Sequence, residues 1–371
     1  MTITISADFD AGNIEVQSLD GARAELTIRK DHKSDFYQWF YFRVDGAAGQ
    51  PLELNITNCT GAAYPLGWPD YRACVSDDNV DWRRTETRYA DGTLTIRHTP
   101  AGDMAWFAYF APYSSDRHQA LVNRIAGQAG VTHRLLGRTL DGRPLDLLTL
   151  GNGPKQVWLY ARQHPGETMA EWWMEGALDF LVSDDAAARK LRDAATLHVV
   201  PNMNPDGSAR GHLRTNAAGK NLNREWADPT MEFSPEVFLV RAAMDETGVD
   251  FAMDVHGDEA IPYVFMAGFD GVPSLTPKQV ETYDAYLAAL EARTADFQTK
   301  YGYPKAGLGK ANMTMSTNQL AERFGAVSMT LEMPFKDNKD APDPVEGWSP
   351  RRSKALAVDC MRTLAEIIDQ L

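Results

Sequence analysis

The chain has 371 residues and a formal charge of −14. That length exceeds what one small core organises, so two domains are expected. The acidic balance argues against nucleic acid or an anionic membrane as partner, although a local basic pocket can still receive an acidic ligand. Cys59, Cys74 and Cys360 are scattered. They match neither a disulfide framework nor a zinc spacing, and free buried thiols are expected. The N-terminus lacks a basic segment followed by an apolar one, and no apolar run spans a bilayer. A cytoplasmic location is the expectation; the oligomeric state stays open.

Residues 1–112 read as β. Short alternating or aromatic-rich segments, 3–9, 24–29, 36–44, 52–58, 94–98 and 104–110, are separated by turns such as Asp20-Gly21 and Asp91-Gly92. Such spacing predicts an antiparallel sandwich. From 113 onward the pattern changes. A helix is expected over 118–128 and strands over 134–138 and 145–151. Strands at 157–161, 196–201, 251–255 and 326–333 then alternate with helices at 168–182, from Ser234-Pro235, at 276–297 and at 349–370. In the helix after Pro235, Phe238, Leu239 and Ala242 are expected inward. Alternation of this kind predicts an α/β domain over 113–371, a mixed sheet flanked by helices. Trp39-Phe40 and Trp172-Trp173 read as core or interface packing.

In open α/β sheets the site lies at the carboxyl ends of the strands. His164-Pro-Gly-Glu167 follows one strand, Asn204-Pro-Asp-Gly207 another and His256-Gly-Asp-Glu a third, while Glu332 ends Ser328-Met-Thr-Leu. Two histidines and one carboxylate leave a zinc position open for water, the catalytic arrangement. Glu332 lies between Leu331 and Met333, where burial raises a carboxyl pKa and suits proton transfer. Each has a plain alternative: a surface or core histidine, a solvent-facing glutamate. Needing all of these at once makes the plain account a poor one.

Together with Asn221-Leu-Asn223-Arg224 and Thr330-Leu-Glu332, these motifs resemble the zinc metallocarboxypeptidases of the carboxypeptidase A type, closest to the cytosolic carboxypeptidase subfamily. The resemblance spans about 113–371, and the β-region before it fits as well. It implies one Zn²⁺ on His164, Glu167 and His256, and Glu332 as general base and acid. It implies Arg214 as the arginine that polarises the scissile carbonyl, and Asn223 and Arg224 as the pair that holds the terminal carboxylate. The substrate it implies is a peptide or protein C-terminus. Arg224 offers a planar fork that lysine cannot copy.

The subfamily often has Asp where this chain has Asn221, and an Asp there would orient a zinc histidine. No catalytic tyrosine stands out; Tyr301 and Tyr303 read as packing residues. The segment 302–317 is expected to line the side-chain pocket. It carries Lys305 and Lys310 and no acid. In the eukaryotic relatives a basic residue of this region reads glutamate, and a buried Lys310 is the candidate for a preference for C-terminal glutamate. Two competing readings share the motifs in part. One is a zinc amidohydrolase of the aspartoacylase or succinylglutamate desuccinylase kind. The other is a non-catalytic binding protein on the same scaffold.

Overall fold

The computed structural model describes residues 2–371. Ten strands come first: β1 (Thr4–Ser6), β2 (Glu15–Asp20), β3 (Arg23–Thr27), β4 (Tyr41–Asp45), β5 (Leu52–Ile56), β6 (Cys74–Ser76), β7 (Arg83–Arg84), β8 (Glu86–Ala90), β9 (Thr93–His98) and β10 (Met104–Ala108). They form two five-stranded sheets, ordered β1-β4-β10-β6-β7 and β2-β3-β5-β9-β8. Alternate residues turn inward, Ala24 and Leu26 on β3, Leu94 and Ile96 on β9, as half-buried strands require. The pairing is antiparallel, as expected, except that β3 and β5 run parallel. The expected strand over 36–44 begins only at Tyr41, because the Phe36 and Tyr37 carbonyls accept from the loop N–H groups of Asp31 and Ala63, and Gln38 ties its side chain to Tyr64. Its Oε1 accepts the Tyr64 N–H at 2.8 Å and its Nε2 donates to the Tyr64 carbonyl at 3.0 Å.

The rest of the chain builds a seven-stranded mixed sheet. Its elements are α1 (Ser115–Ala126), β11 (Val131–Arg138), β12 (Pro144–Leu150), β13 (Lys155–Ala161), α2 (Met169–Leu181), α3 (Ala186–Ala194), β14 (Ala195–Val200), α4 (Pro205–Arg210), α5 (Pro235–Thr247), β15 (Phe251–Asp258), β16 (Phe265–Ala267), α6 (Pro277–Arg293), α7 (Ser316–Phe324), β17 (Val327–Pro334) and α8 (Pro350–Ile367). The strand order is β11-β12-β14-β13-β15-β17-β16, with β14, β13, β15 and β17 parallel. These central strands are covered on both faces, which is why they read as continuous apolar runs. The three cysteines are free and buried. No helix among the described residues is long and apolar enough to cross a membrane.

Two expectations about helices also need correction. The helix α5 is rotated by one residue: Val237, Val240, Ala243 and Met244 are buried, whereas Phe238 and Ala242 are exposed and Leu239 is half-buried. The inward four join Trp158 and Trp226 in a core of their own. Second, α2 is buried all round except at Asp179, not on one face. It is sandwiched between the sheet and α8. At Gly176 an added Cβ would stand 2.6 Å from the Lys354 backbone, so only glycine permits this approach. The Trp172 and Trp39 indoles lie buried, donating to the carbonyls of Ala111 and Ala11.

Burial on both sides of α2 leaves Glu171 needing partners. It receives Arg162 at 2.6 Å and His118 Nδ1 at 2.6 Å. Burial opposes a charge on His118, but Glu171 and Asp146 outweigh it and raise its pKa to about 9. Because the folded value exceeds the unfolded one of about 6.5, this contact stabilises fully below pH ~6.5 and is lost as pH rises through ~9. The expected loss is ~3 kcal/mol. Denaturant midpoints measured between pH 6 and 9.5 are expected to fall in the wild type and to fall less in His118→Gln. Parallel curves would contradict this.

Candidate metal centre and active site

The turn after β13 places the first two residues of the site. Arg162 takes a left-handed backbone (φ 60°), an arrangement that costs energy in a non-glycine residue and needs fixing. Its buried guanidinium supplies that, donating to the carbonyls of Pro165 (3.0 Å) and Tyr113 (2.9 Å) and to Glu171. Asn204, from the Asn-Pro-Asp-Gly motif, donates to the Gln163 carbonyl at 3.0 Å and caps α4 by accepting from Gly207 N–H. A Cβ at Gly207 would meet Pro165 at 2.4 Å. That motif is thus a brace for the His164 turn. Arg162 carries no motif and was not legible in the sequence.

The structure brings His164, Glu167 and His256 to one point, with one ligand atom from each within 4.8 Å of the others. The two Nδ1 atoms stand 3.1 Å apart, and each lies 2.7 Å from an oxygen of Glu167. Both Nε2 atoms face away. His164 Nε2–H donates to Asn221 Oδ1 at 2.9 Å, and His256 Nε2 lies 2.8 Å from Asp254 Oδ1. Outward partners of this kind fix ring orientation and leave Nδ1 for a metal. The two rings are oriented unequally, one by a neutral amide and one by a carboxylate. Asp254 stands two residues before His256 on β15, so both side chains lie on one face of the strand; that spacing was the available signal for its role. Burial and Arg214 push the His164 pKa down to about 4, while Asp254 and Glu167 overcome burial and push His256 well up. Two imidazoles and a carboxylate, oriented from outside and buried, fit Zn²⁺.

Glu332 on β17 pairs in register with His256 on β15. Burial raises its pKa well above the usual range; His256 opposes this, and Glu167 and Asp258 add to it. Its Oε2 is buried without a partner. Its Oε1 accepts from the Tyr303 hydroxyl at 3.2 Å, and the same hydroxyl lies 2.7 Å from Asp258. Tyr303 is therefore not a packing residue, contrary to expectation. The loop between α6 and α7 folds back over the cleft, a path no local pattern announces. Tyr301 does pack, stacked on Tyr263 at 4.5 Å.

These groups open into a cleft of about 940 Å³ whose walls include Arg214, Asn223, Arg224 and Lys310. Arg214 is mostly buried, 4.0 Å from Glu167. Burial works against its charge, but Tyr64, Glu167 and Glu259 hold its pKa above the usual value. Arg224 is pulled below its usual value by burial and by Arg214. Two mutually repelling guanidinium groups on one cleft favour an anion between them. Asn223 Oδ1 accepts from Ser316 N–H at 2.9 Å, and its Nδ2 lies 3.5 Å from His256 Nε2. Lys310 is exposed, not buried. It sits in a turn closed by its own N–H to Gly307. Lys305 faces Asp270 at 3.4 Å, an acid brought in from outside the expected segment.

The model of the zinc carboxypeptidase family matches residues 128–339, and that of the cytosolic carboxypeptidase N-terminal domain matches 5–110. The chain belongs to the zinc carboxypeptidase family. A metallocarboxypeptidase from Burkholderia cenocepacia is 44% identical with a TM-score of 0.97, each chain covered completely. One from Pseudomonas aeruginosa, solved with (2-guanidinoethylmercapto)succinic acid, is 41% identical with a TM-score of 0.97 over 99% of both chains. Cytosolic carboxypeptidase 2 of Xenopus tropicalis is 33% identical over 70% of this chain and 31% of its own length. The chain thus spans about a third of that relative. As a member of the family it is a metallocarboxypeptidase, a hydrolase of peptide bonds, and the amidohydrolase and non-catalytic readings lose their ground.

Proposed function

We propose that this metallocarboxypeptidase removes the C-terminal residue of peptides or proteins with one Zn²⁺ held by His164, Glu167 and His256. The carrying observation is the convergence of two Nδ1 atoms and one carboxylate beside Glu332, in the same cleft as Arg214 and Arg224. The metal supplies Lewis acidity and lowers the pKa of water. Glu332, with one free oxygen in a buried setting, accepts the proton and later returns it to the leaving amine. Arg214 aims a cation at the carbonyl oxygen as charge develops there. Arg224, with Asn223, holds the terminal carboxylate and so registers the scissile bond. The Tyr303 hydroxyl orients Glu332. We assign residues 1–112 to a β-sandwich domain and 113–371 to the catalytic domain, working in the cytoplasm.

The finer reading is a preference for C-terminal glutamate through Lys310. It is supported by the position of Lys310 on the cleft wall and by the likeness to cytosolic carboxypeptidases. Because its ammonium is exposed, the expected discrimination is modest, about two- to tenfold. A second reading, a basic C-terminal residue, is favoured by Asp270, Asp284 and Glu291 on the same wall and by the guanidino compound bound to the Pseudomonas protein. Values of kcat/KM for peptides ending in Glu, Lys and Leu decide between them. Glutamate first, with a loss for glutamate alone in Lys310→Ala, supports the first. Lysine first supports the second and removes Lys310 from the site.

A further inference from the structure

The loop that carries Arg214 has no regular structure of its own. Between α4 and Asn221 the backbone runs through turns, and its buried N–H groups need partners from elsewhere. Three consecutive ones find the same group. Asp31, 182 positions earlier than Leu213 and 2% exposed, accepts Leu213 N–H at 2.6 Å on Oδ1; its Oδ2 takes Arg214 N–H at 2.8 Å and Thr215 N–H at 2.9 Å. The Thr215 hydroxyl adds a fourth bond at 3.0 Å. A row of backbone N–H groups is an anion nest, and here its anion is built into the chain. Nearby, the His32 N–H donates to His212 at 3.0 Å, and Asn13 donates to the Gly211 carbonyl at 2.9 Å.

The guanidinium itself is framed by the same β-region. Its Cζ lies 5.7 Å from the Phe36 ring centroid and 5.3 Å from that of Tyr64, both within cation–π reach. Backbone and side chain of Arg214 are therefore held from outside the mixed sheet. Removing the Asp31 charge would orphan N–H groups that have no alternative partner, and the loop would shift to solvate them.

We propose that Asp31 is a positioning residue for catalysis: the β-region builds the carbonyl-polarising site by clamping the Arg214 loop on the Asp31 carboxylate and framing the guanidinium between Phe36 and Tyr64. This rests on the role given to Arg214 above. Asparagine at 31 keeps one acceptor but turns an NH₂ group toward a backbone donor. In the zinc-loaded full chain, Asp31→Asn is expected to keep stoichiometric zinc and near-normal KM, because Arg224 and Asn223 are untouched. Its kcat is expected to fall about ten- to a hundredfold, the cost of misplacing a catalytic group by about 1 Å.

The deciding measurement is the double variant. If Asp31 acts through Arg214, Asp31→Asn adds no further loss of kcat on an Arg214→Ala background. A wild-type kcat in Asp31→Asn, or its full loss recurring on that background, overturns the proposal. Should Asp31→Asn fail to fold, Tyr64→Leu decides in the same cycle: a loss that vanishes without Arg214 supports the clamp, and no loss, or an additive one, overturns it. Near-normal activity in Arg214→Ala alone overturns the Arg214 reading and this one with it, an outcome distinct from failure of the clamp.

Discussion

Glu332→Gln is expected to retain its zinc and to lose about 10²–10⁴-fold in kcat, the usual contribution of a positioned acid–base group. The substitution preserves shape and keeps an acceptor for the Tyr303 hydroxyl, so the fold and the metal site should not change. What disappears is the ability to take up a proton. The position makes this demand specific. Glu332 Oε2 is buried with no protein partner, so one of its two oxygens is not committed to the fold. Burial raises its pKa well above the usual range, with Glu167 and Asp258 adding to it and His256 opposing, and a bound cation would pull it the other way. Elemental analysis and kcat on a peptide substrate test this together. Near-normal turnover in the variant would remove Glu332 from proton transfer, and loss of zinc would make it a ligand instead.

The second large effect is on the metal. If His256 is one of the three zinc donors proposed above, His256→Ala leaves only Glu167 and His164, and dialysed protein is expected to lose its zinc and with it all measurable hydrolysis. Asp254→Asn is expected to weaken zinc by about 10–100-fold and no more, because the ring stays in place and only its charged orienting partner is lost. The two variants form a graded pair. Zinc retained at one per chain in His256→Ala after dialysis would refute the ligand assignment. Equal zinc loss in both would mean that Asp254 is a ligand in its own right.

How much of this was legible follows from the kind of signal each residue carries. The parallel strands were, because burial on both faces writes an unbroken apolar run, as at Val157 to Ala161. The candidate ligands were, because the loops that follow those strands concentrate chemistry at their carboxyl ends. The rotation of α5 was not, since Phe238 and Val237 are equally apolar and only packing against Trp158 and Trp226 chose between them. Asp270 entered the pocket wall from outside the segment expected to line it, through a contact that no spacing encodes.

The sequence by itself determined the class of chemistry: two histidines, a glutamate and a second glutamate, each at a strand end, in an order that resembles one family. Donor identity and local turn chemistry are properties of short stretches, and short stretches are what a sequence displays. Tertiary structure alone decided which groups surround that chemistry. Tyr303 reaches Glu332 from a loop 29 positions away, Asp31 reaches the Arg214 loop from the connection between β3 and β4, and Lys310 lies on the surface where a buried ammonium was expected. Each of these depends on the path of a loop in space. A loop's path is set by the surfaces it packs against and not by its own periodicity, so it stays unreadable until those surfaces exist.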